Sequence, residues 1–380
     1  MSGTSRSSKN NGRNVCFICI SLRPGGTERV VARAANYLTQ DSEVTILLLS
    51  RASTFYKLNP NVTLVQPKFA GLKEVGWKWP FKVLIYLWRA ISAVKPAVIL
   101  CFGEAIAPLI VVVARLNRIP VIVFNRASPL SSLRGVRGLI NPLIYPMARF
   151  VVVQTKRAAD LLRPRYRFCR FEVFPNPISL PDKVPPTNQR EIRVINVGSL
   201  GGKKNQKALM RIFANVKVES NWILEFVGDG PDRKLLEQCA KRLNLDQVVR
   251  FIGQRDDVET LLAESSIFAF TSLTEGFPNA LAEAMAAGCA CISYDCPTGP
   301  AELIEHGVNG FLVESGNEVE YTRFLQRLMD EPELRALFSH NARESMRRFE
   351  AGAVLARLEG MIEEVARQAQ GSRRKVQRKS

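Results

Sequence analysis

Short runs of consecutive apolar residues alternate along the chain with segments that repeat apolar positions at helical spacing. The first series of runs is VCFICI, VTILLL, AVILCF, VIVFN and FVVVQT. Helical segments follow them, such as TERVVARAANYL after the first run and KRAADLLR after the last. Strands that are apolar throughout are typical of a parallel sheet covered by helices on both faces. A second series begins with RVINVGSL and ends with GFLVES. The pattern therefore predicts an α/β protein with two Rossmann-like parallel-sheet domains.

A proline-rich polar stretch, EVFPNPISLPDKVPPTNQRE, separates the two series and is typical of a linker. Basic polar segments at both ends of the chain are typical of disordered termini. The predicted organisation is a disordered basic N-terminus (1–13), an N-terminal domain (14–175), a hinge linker (176–190), a C-terminal domain (191–350), a closing helix (351–370) and a basic tail (371–380).

The positive charge is concentrated in the N-terminal half. The 380 residues include 53 Lys and Arg against 35 Asp and Glu, for a net charge of +18, and residues 1–171 alone contribute +20. A field of one sign points to a polyanionic partner, and both nucleic acid and an anionic membrane fit. The sequence contains no recognised nucleic-acid-binding motif, which disfavours a basic nucleic-acid-binding protein, the alternative from a different functional class.

Cysteine and histidine usage disfavours disulfides and metal. The eight cysteines follow no framework spacing, Cys16 and Cys19 lie within an apolar run, and the chain has only two histidines. Buried, reduced thiols in a reducing cytoplasm are expected. No signal peptide is evident. The longest apolar stretch, AVILCFGEAIAPLIVVVARL, contains Glu104 and Pro108 and divides better into a strand and a helix than into a membrane span.

The stretch EGFPNALAEAMAAGCAC places two glutamates around a predicted helix start. Glu275 lies in the loop before the helix, which begins near Asn279, and Glu283 lies one turn inside it. A helix N-terminus offers free N–H groups to an anion. Acids on either side would hold hydroxyl groups, so the arrangement describes a sugar nucleotide. The alternative is a loop acid followed by a solvated helix acid.

Three further glycine-containing turns follow predicted strands, where ligands bind in open α/β sheets. Gly25 and Gly26 follow the first strand and allow close approach of the backbone to a ligand. The turn GSLGGKKN carries Lys203 and Lys204, either of which can neutralise a diphosphate. A third strand, turn and helix, FIGQRDDVETLLAES, is a candidate nucleobase site.

Taken together, these segments resemble a retaining GT-B glycosyltransferase of family four. The motifs GGTERV, VFPNPI, VGSLGGKKNQ, LEFVGDGPDRKLLE, VRFIGQRDDV, TSLTEGFPNALAEAMAAG and GPAELIEHGVNGFLV occur in the order of that family, from about residue 15 to residue 350. The resemblance implies a GT-B architecture, in which two Rossmann-like domains face each other across a cleft. The stretch VIVFNRASP stands where many members carry a histidine. It resembles the subgroup that has an arginine-containing motif there, whose members often build lipid-linked glycans.

The resemblance also implies roles for individual residues. Glu275 would contact the donor sugar, Glu283 the ribose hydroxyls, and Lys204 a phosphate. Ser199 stands where the family usually has an arginine, so Lys203 is a candidate for the missing charge, and Arg126 or Asn125 is a candidate replacement for the histidine. The implied catalytic residues are Glu275, Lys204 and Arg126, and the implied donor-binding residues are Gly25, Gly26, Gly198, Ser199, Lys203, Lys204, Gly253, Arg255, Glu275, Gly276, Phe277, Pro278, Asn279, Ala280 and Glu283.

The activity so implied is a retaining, metal-independent hexosyl- or N-acetylhexosaminyltransferase. Its expected donor is a UDP-sugar, which is a co-substrate, and no cofactor is expected. Cationic side chains and helix-end N–H groups would stabilise the departing diphosphate. Retention by front-face displacement and by double displacement both remain open. A soluble acceptor and a sugar-nucleotide epimerase of the same fold are the alternatives within this class.

A basic aromatic stretch in the N-terminal half, GWKWPFKVLIYLWRAI, favours contact with an anionic membrane surface. A second stretch, SSLRGVRGLINPLIYPMARF, could act with it. The alternative is an ordinary helix that packs on the sheet with its lysines outward. The expected location is the cytoplasmic face of a membrane, with a lipid-linked glycan as acceptor. The residues expected at the acceptor or membrane are Trp77, Trp79, Lys82, Trp88 and Arg89.

Overall fold

The structure is a computed structural model that describes residues 13–23, 25–51, 53–69, 79–126, 128–217 and 221–377. The chain divides into two compact units. Unit 1 comprises the residues up to Pro175 together with those from Val354 onward, and unit 2 comprises Asn176–Ala353. The predicted disordered N-terminus lies outside the described residues except for Arg13, whose guanidinium pairs with the Glu363 carboxylate.

Unit 1 is built on a seven-stranded parallel sheet with the order β3-β2-β1-β4-β5-β6-β7. Its strands are β1 Asn14–Cys19, β2 Glu43–Leu48, β3 Val62–Val65, β4 Val98–Phe102, β5 Val121–Phe124, β6 Phe150–Val153 and β7 Phe171–Val173. Within the described residues up to Pro175, its α-helices are α1 Gly26–Leu38, α2 Trp79–Val94, α3 Ala107–Leu116, α4 Pro129–Ser132, α5 Gly135–Ile144 and α6 Lys156–Leu162.

Side chains from the two faces of this sheet enter two separate cores. Cys16 and Ile18 of β1 pack with α2, α3 and α6. Val15 and Phe17 of the same strand pack with α1 on the other face. Because successive side chains of a strand point to opposite faces, an uninterrupted apolar run is needed to fill both cores. The structure thus explains why VCFICI contains no polar residue.

Unit 2 contains a six-stranded parallel sheet with the order β10-β9-β8-β11-β12-β13. Its strands are β8 Glu191–Val197, β9 Ile223–Val227, β10 Val249–Gly253, β11 Ser265–Phe270, β12 Ala290–Asp295 and β13 Phe311–Glu314. Its helices are α7 Gln206–Ala214, α8 Arg233–Arg242, α9 Val258–Glu264, α10 Asn279–Ala286, α11 Pro300–Leu303, α12 Glu318–Asp330 and α13 Pro332–Met346. The two parallel sheets confirm the predicted α/β class with two Rossmann-like domains.

A single helix, α14 (Ala351–Gln377), ends the described chain. Its apolar side chains Val354, Leu358 and Ile362 belong to the core of unit 1 on the α1 face. The helix continues past residue 370 through the first seven residues of the tail that the sequence predicts to be disordered. The 27 residues of this helix contain three glycines and no proline, and so offer no strong stop signal before that tail.

The predicted hinge segment, residues 176–190, contains residues that are fixed within unit 2. Ile178 is 1% exposed, its N–H donates to the carbonyl oxygen of Phe349 (2.8 Å), and its own carbonyl oxygen accepts from the Ala351 N–H (2.9 Å). The Arg190 guanidinium donates to the Gly288 carbonyl oxygen. The linker pattern therefore describes irregular backbone that packs on unit 2.

All eight cysteines are free thiols, and six of them are buried. Burial raises the pKa of Cys16 and Cys19 far above that of an exposed thiol, so both stay protonated at neutral pH. The long apolar stretch divides into β4 and α3, as predicted. Among the described residues, no helix has both the length and the apolar character to span a bilayer.

A buried ion pair that the sequence does not reveal ties four elements of unit 2 together, namely β8, β9, β11 and α9. Nη1 of Arg193 on β8 lies 2.9 Å from Oε1 of Glu225 on β9, and both side chains are 5% exposed. The Nε of Arg193 donates to the Ser265 hydroxyl (2.8 Å) and its Nη2 to the Leu261 carbonyl oxygen (3.1 Å). Nη1 also lies 3.2 Å from Oε2 of Glu191, so every guanidinium nitrogen has a partner at a buried position, where an unpaired charge is costly.

We expect Arg193→Ala to lower the free energy of unfolding by about 3–5 kcal/mol, because it leaves the Glu225 carboxylate buried and unpaired. The matched control is Arg211→Ala, which removes an exposed pair with Glu318 and should cost at most about 1 kcal/mol. Denaturant unfolding of the three proteins makes the comparison. Equal losses in the two variants would contradict a special role for the buried pair.

Candidate functional site

The strand order of unit 2 reverses between β8 and β11, which are adjacent in the sheet although β9 and β10 lie between them in sequence. In open α/β sheets, ligands bind outside the carboxyl ends of the strands at such a switch point. The turn after β8 carries Gly198, Ser199, Lys203 and Lys204, and the loop after β11 carries Glu275. Topology therefore brings together two segments that are about seventy residues apart in sequence.

Lys204 and Glu275 form an ion pair at this switch point. Nζ of Lys204 lies 2.6 Å from Oε1 of Glu275, and the two side chains are 27% and 12% exposed. The same Nζ lies 5.6 Å from the centre of the Phe270 ring. A carboxylate and an apolar ring thus hold the ammonium group at the rim of the sheet, where it remains partly accessible to a ligand.

Backbone hydrogen bonds fix the two loops that carry this pair. The Leu273 N–H donates to the Lys203 carbonyl oxygen (2.9 Å), and the Thr271 hydroxyl donates to that of Lys204 (3.2 Å). Asn205, just after the lysines, adopts a left-handed conformation (φ 55°) from which α7 begins. Asparagine tolerates that conformation better than most residues. The position of the lysines is therefore set by the local fold.

Two glycines that sequence reasoning did not single out let neighbouring turns approach closely. A Cβ at Gly228 (φ 131°) would lie 2.1 Å from the carbonyl oxygen of Gly198, and one at Gly230 would lie 2.2 Å from that of Leu200. The Gly228 N–H donates to the Gly253 carbonyl oxygen (2.7 Å). The motif LEFVGDG requires glycine at both positions because the turns after β8 and β9 meet backbone to backbone.

The helix after Glu275 begins at Asn279, and Pro278 occupies its N-cap position. The Asn279 N–H donates to the Phe277 carbonyl oxygen (3.0 Å), and its side-chain oxygen accepts from the Asn176 amide. Asn279 is thus the first helical residue, with Pro278 at the cap, and its N–H already has an acceptor within the chain. Phe277, 5% exposed, packs in the apolar core, so its side chain anchors the loop.

The remaining predicted donor residues of unit 2 lie on the same edge of the sheet or on α10. Glu283 is half-buried on α10, one turn inside the helix. Gly253 ends β10 with φ 77°. Arg255 is exposed and makes a two-point ion pair with Asp257 (2.8 and 2.6 Å), so its guanidinium faces an acid two residues away. Gly276 and Ala280 flank Phe277 and Asn279 and are half-buried.

In unit 1 the glycine turn after β1 is held by a tyrosine that the sequence did not indicate. The Tyr56 hydroxyl accepts from the Gly25 N–H (2.9 Å) and donates to the Gly25 carbonyl oxygen (2.7 Å). A Cβ at Gly25 would lie 2.2 Å from Oε2 of Glu28, in the first turn of α1, which begins at Gly26. The turn is therefore ordered by contacts on both sides.

Arg126 follows β5 and shares a buried polar cluster with Glu28 and Glu104. Burial lowers the pKa of Arg126 to about 9, although both acids act to raise it. The guanidinium therefore stays charged at neutral pH. Its Nε and Nη1 are buried and have no hydrogen-bond partner among the residues that the structure describes. Burial also raises the pKa of Glu28, which Arg126 partly offsets.

Hydrogen bonds support the acidic side of this cluster. The Ser132 hydroxyl donates to Oε2 of Glu104 (2.9 Å), and Nδ2 of Asn125 donates to the Ser132 oxygen (3.1 Å). Glu104 follows β4 and Glu28 follows β1, so the cluster occupies the switch point of the first sheet. From the sequence, Glu104 served only as an argument against a membrane span, and its position directly after a strand is the signal that could have marked it as a site residue.

The predicted acceptor and membrane residues other than Trp77 belong to α2. Lys82 and Arg89 are exposed, and Trp88 is 45% exposed. Trp79 is the first residue of the helix, and Trp77 lies outside the described residues. Within the described part of the chain, no group of three or more His, Cys, Asp and Glu side chains is arranged to hold a metal ion.

Comparison with known proteins gives consecutive matches to two family models. Residues 24–181 match the model described as "Glycosyltransferase Family 4", and residues 181–345 match "Glycosyl transferases group 1". The two matches meet at residue 181, close to the start of unit 2. Together they include every residue of the two switch-point sites described above.

Two similar sequences are N-acetylgalactosaminyltransferases of Campylobacter jejuni subsp. jejuni whose names give undecaprenol-linked saccharides as acceptors. One is 24% identical over 92% of this chain and 98% of its own length. The other is 25% identical over 87% of this chain and 94% of its own length. A similar solved structure is Anabaena HepE in complex with UDP, with TM-score 0.78 and 20% identity over 92% of this chain and all of that one.

Proposed function

Because this chain is a glycosyltransferase of the GT-B type, we propose that it moves a hexose or N-acetylhexosamine from a UDP-sugar to a lipid-linked saccharide, with retention. The observation that carries the proposal is the Lys204–Glu275 pair at the switch point of unit 2. A charged lysine held beside a carboxylate suits a ligand that is anionic at one end and rich in hydroxyl groups at the other.

In the proposed reaction, a hydroxyl oxygen of the acceptor ends bonded to the anomeric carbon of the donor sugar, and the bond between that carbon and the diphosphate breaks. Negative charge grows on the departing phosphate oxygen, and the proton of the acceptor hydroxyl leaves with the diphosphate or passes to water. Lys204 stabilises that charge in a site where the loops already fix its position. Glu275 orients the lysine and accepts hydrogen bonds from the donor sugar. Lys203 on the same turn supplies a further positive charge in place of the arginine absent at Ser199. With these cations in the site, the proposed reaction needs no metal.

The choice of donor rests on α10 and on the solved relative. Glu283 lies one turn inside α10, where we propose that it holds ribose hydroxyls, and the similar solved structure of Anabaena HepE is a complex with UDP. The expectation of retention draws on the two Campylobacter enzymes, one of which is named for an α-1,4 linkage and the other for a 4-α transfer. UDP-hexoses are usually α-linked, so an α-linked product requires retention.

The choice of acceptor rests on unit 1 and on the same two relatives. Their names give undecaprenol-linked acceptors, and residues 1–171 of this chain carry a net charge of +20. A lipid-linked saccharide lies at an anionic membrane, to which a basic domain is attracted. We propose that Arg126 acts on the phosphate or acceptor side of the reaction and that the enzyme works on the cytoplasmic face of the membrane.

The first test is thermal unfolding with UDP, GDP, ADP and CMP, in EDTA and in magnesium. We expect UDP to stabilise the protein equally in both buffers. At about a hundred times its dissociation constant the gain is about 2.7 kcal/mol, a shift of about 5 °C for a chain of this size. Glu283→Ala should abolish the shift. Glu333→Ala, which removes an exposed acid from α13, is the matched control and should keep it.

Product analysis separates this function from its rivals. Radiolabelled UDP-sugar and a lipid-linked saccharide should give a lipid-extractable product. Sugar isomerisation without an acceptor would identify an epimerase, and transfer to a free saccharide alone would identify a soluble acceptor. A response to DNA or RNA, with none to any nucleotide, would refute the transferase proposal.

A further inference from the structure

The large apolar side chains of helix α5 point away from the rest of unit 1. Its buried positions are Gly138 and Asn141, a glycine and a polar residue. Its large apolar side chains point outward instead: Val136 is 69% exposed, Leu139 63%, Ile140 42% and Leu143 76%. These four positions are spaced i, i+3, i+4 and i+7 and therefore form one stripe along the helix. This orientation is the reverse of that in an ordinary surface helix.

Helix α2 carries a second outward stripe with the same spacing. Phe81 is 62% exposed, Leu84 37%, Ile85 54% and Trp88 45%. Unlike α5, this helix also buries an apolar face, because Val83, Leu87 and Ile91 belong to the core of unit 1. The alternative drawn from the sequence, an ordinary helix that packs on the sheet with its lysines outward, therefore describes this helix only in part. The helix does pack on the sheet, but apolar side chains accompany the outward lysine.

The two stripes belong to one layer of the fold. Both α2 and α5 contact α3, which lies on the face of the first sheet that they share. Leu116 at the end of α3 is 65% exposed. The layer therefore presents apolar side chains from three neighbouring helices. Soluble proteins rarely expose so many without a partner, and such patches mark sites of interaction with proteins or membranes.

The charge around this layer selects the partner. Residues 105–171 contain twelve Lys and Arg and one acid, Asp160. Arg134 and Arg137 are exposed next to the α5 stripe, and Nε of Arg165 donates to the Gly138 carbonyl oxygen of α5 (2.9 Å). A second copy of this chain would bring the same positive charges against each other. An anionic lipid surface offers both the opposite charge and an apolar interior.

We propose that α5 and α2 together form a membrane-binding face, in which the α5 stripe enters the boundary between lipid headgroups and acyl chains. The arginines around α5 and the basic residues Lys82 and Arg89 of α2 contact anionic headgroups. The inference deepens the proposed function, because a lipid-linked acceptor is confined to a bilayer. It adds a specific element, α5, and a specific mode, apolar insertion in addition to charge attraction.

The test is co-flotation of the protein with vesicles of phosphatidylcholine alone and of phosphatidylcholine mixed with phosphatidylglycerol. We expect binding to the mixed vesicles only. Leu139→Glu combined with Leu143→Glu should weaken it by about tenfold or more, as should Arg134→Glu combined with Arg137→Glu. The matched control is Val319→Glu combined with Leu337→Glu, two exposed apolar positions of unit 2 (83% and 52%). Thermal unfolding checks that each variant is folded.

Full vesicle binding by the Leu139/Leu143 variant would overturn the proposal. So would a wild-type dimer that this variant dissociates while vesicle binding persists, since the stripe would then join two copies. The UDP thermal shift is scored separately in each variant. Vesicle binding that depends on α5, in a protein that ignores UDP, would refute the donor proposal and still support the membrane-binding face.

Discussion

Replacement of Glu275 by alanine should lower turnover by about a hundredfold to a thousandfold, the range seen when one preorganised electrostatic group is lost from an active site. Glu275 lies 2.6 Å from the Lys204 ammonium group, and it is the acid proposed to contact the donor sugar. Its loss frees the lysine to leave the position in which it meets the diphosphate. Single-turnover transfer from radiolabelled donor measures the effect without a contribution from product release.

A double-mutant cycle of Glu275 and Lys204 tests whether the two residues act together. Lys204→Ala alone should cost about as much as Glu275→Ala, and the double variant little more than either, because residues that act as a unit are strongly non-additive. Arg327→Ala is the control, since it removes an exposed ion pair of the same unit with Glu331. If the double variant instead lost turnover by the product of the two single losses, Lys204 and Glu275 would act independently. The proposal that they act as a pair would then be wrong.

Arg126→Ala should also lower turnover by about a hundredfold or more, since it removes a preorganised cation from a water-poor site. Two of its guanidinium nitrogens are buried without a partner among the described residues, which suggests a place for an anionic or hydroxyl-bearing ligand. The same change leaves Glu28 and Glu104 without their shared cation. We therefore expect a loss of stability in addition to the loss of activity.

Arg126→Lys separates these two effects. Lysine keeps the charge near both acids but lacks the planar two-point donor geometry of arginine. Stability should return towards that of the wild type, while turnover stays low. The UDP-induced thermal shift should persist in both variants, because the proposed nucleotide site belongs to unit 2. If Arg126→Lys instead restores turnover along with stability, Arg126 has a structural role only.

Sequence patterns predicted the strands, because a parallel strand buried on both faces must be apolar throughout. VCFICI and IFAFTS could therefore be predicted as the strands β1 and β11 without any tertiary information. The helix after Glu275, α10, could be predicted in the same way, since alanines favour a helix and Gly288, with φ 74°, ends it. Proline and charge marked the linker and the tail as irregular or polar backbone, but such residues do not show whether the backbone packs against a domain.

The candidate residues also divide into those that a short sequence segment indicates and those that only the fold reveals. Local chemistry indicated Lys204, Glu275 and Glu283, because a turn, a helix start and charge occur together in short segments. Tyr56, Glu28 and Arg193 were not indicated, since each acts through a partner brought near only by the fold. The Tyr56 hydroxyl reaches Gly25 across 31 residues, and Arg193 meets Glu225 across 32.

The sequence by itself determined the α/β class, the two domains, the order of the family motifs and the one-sided charge, because these depend on spacing and composition along the chain. Only the tertiary structure decided which loops meet at each switch point, that Lys204 pairs with Glu275, and that Arg126 is buried beside two acids. It alone showed that the α5 stripe faces outward. Periodicity reveals that a helix has an apolar side, but only the packing of Gly138 and Asn141 against the domain decides where that side points.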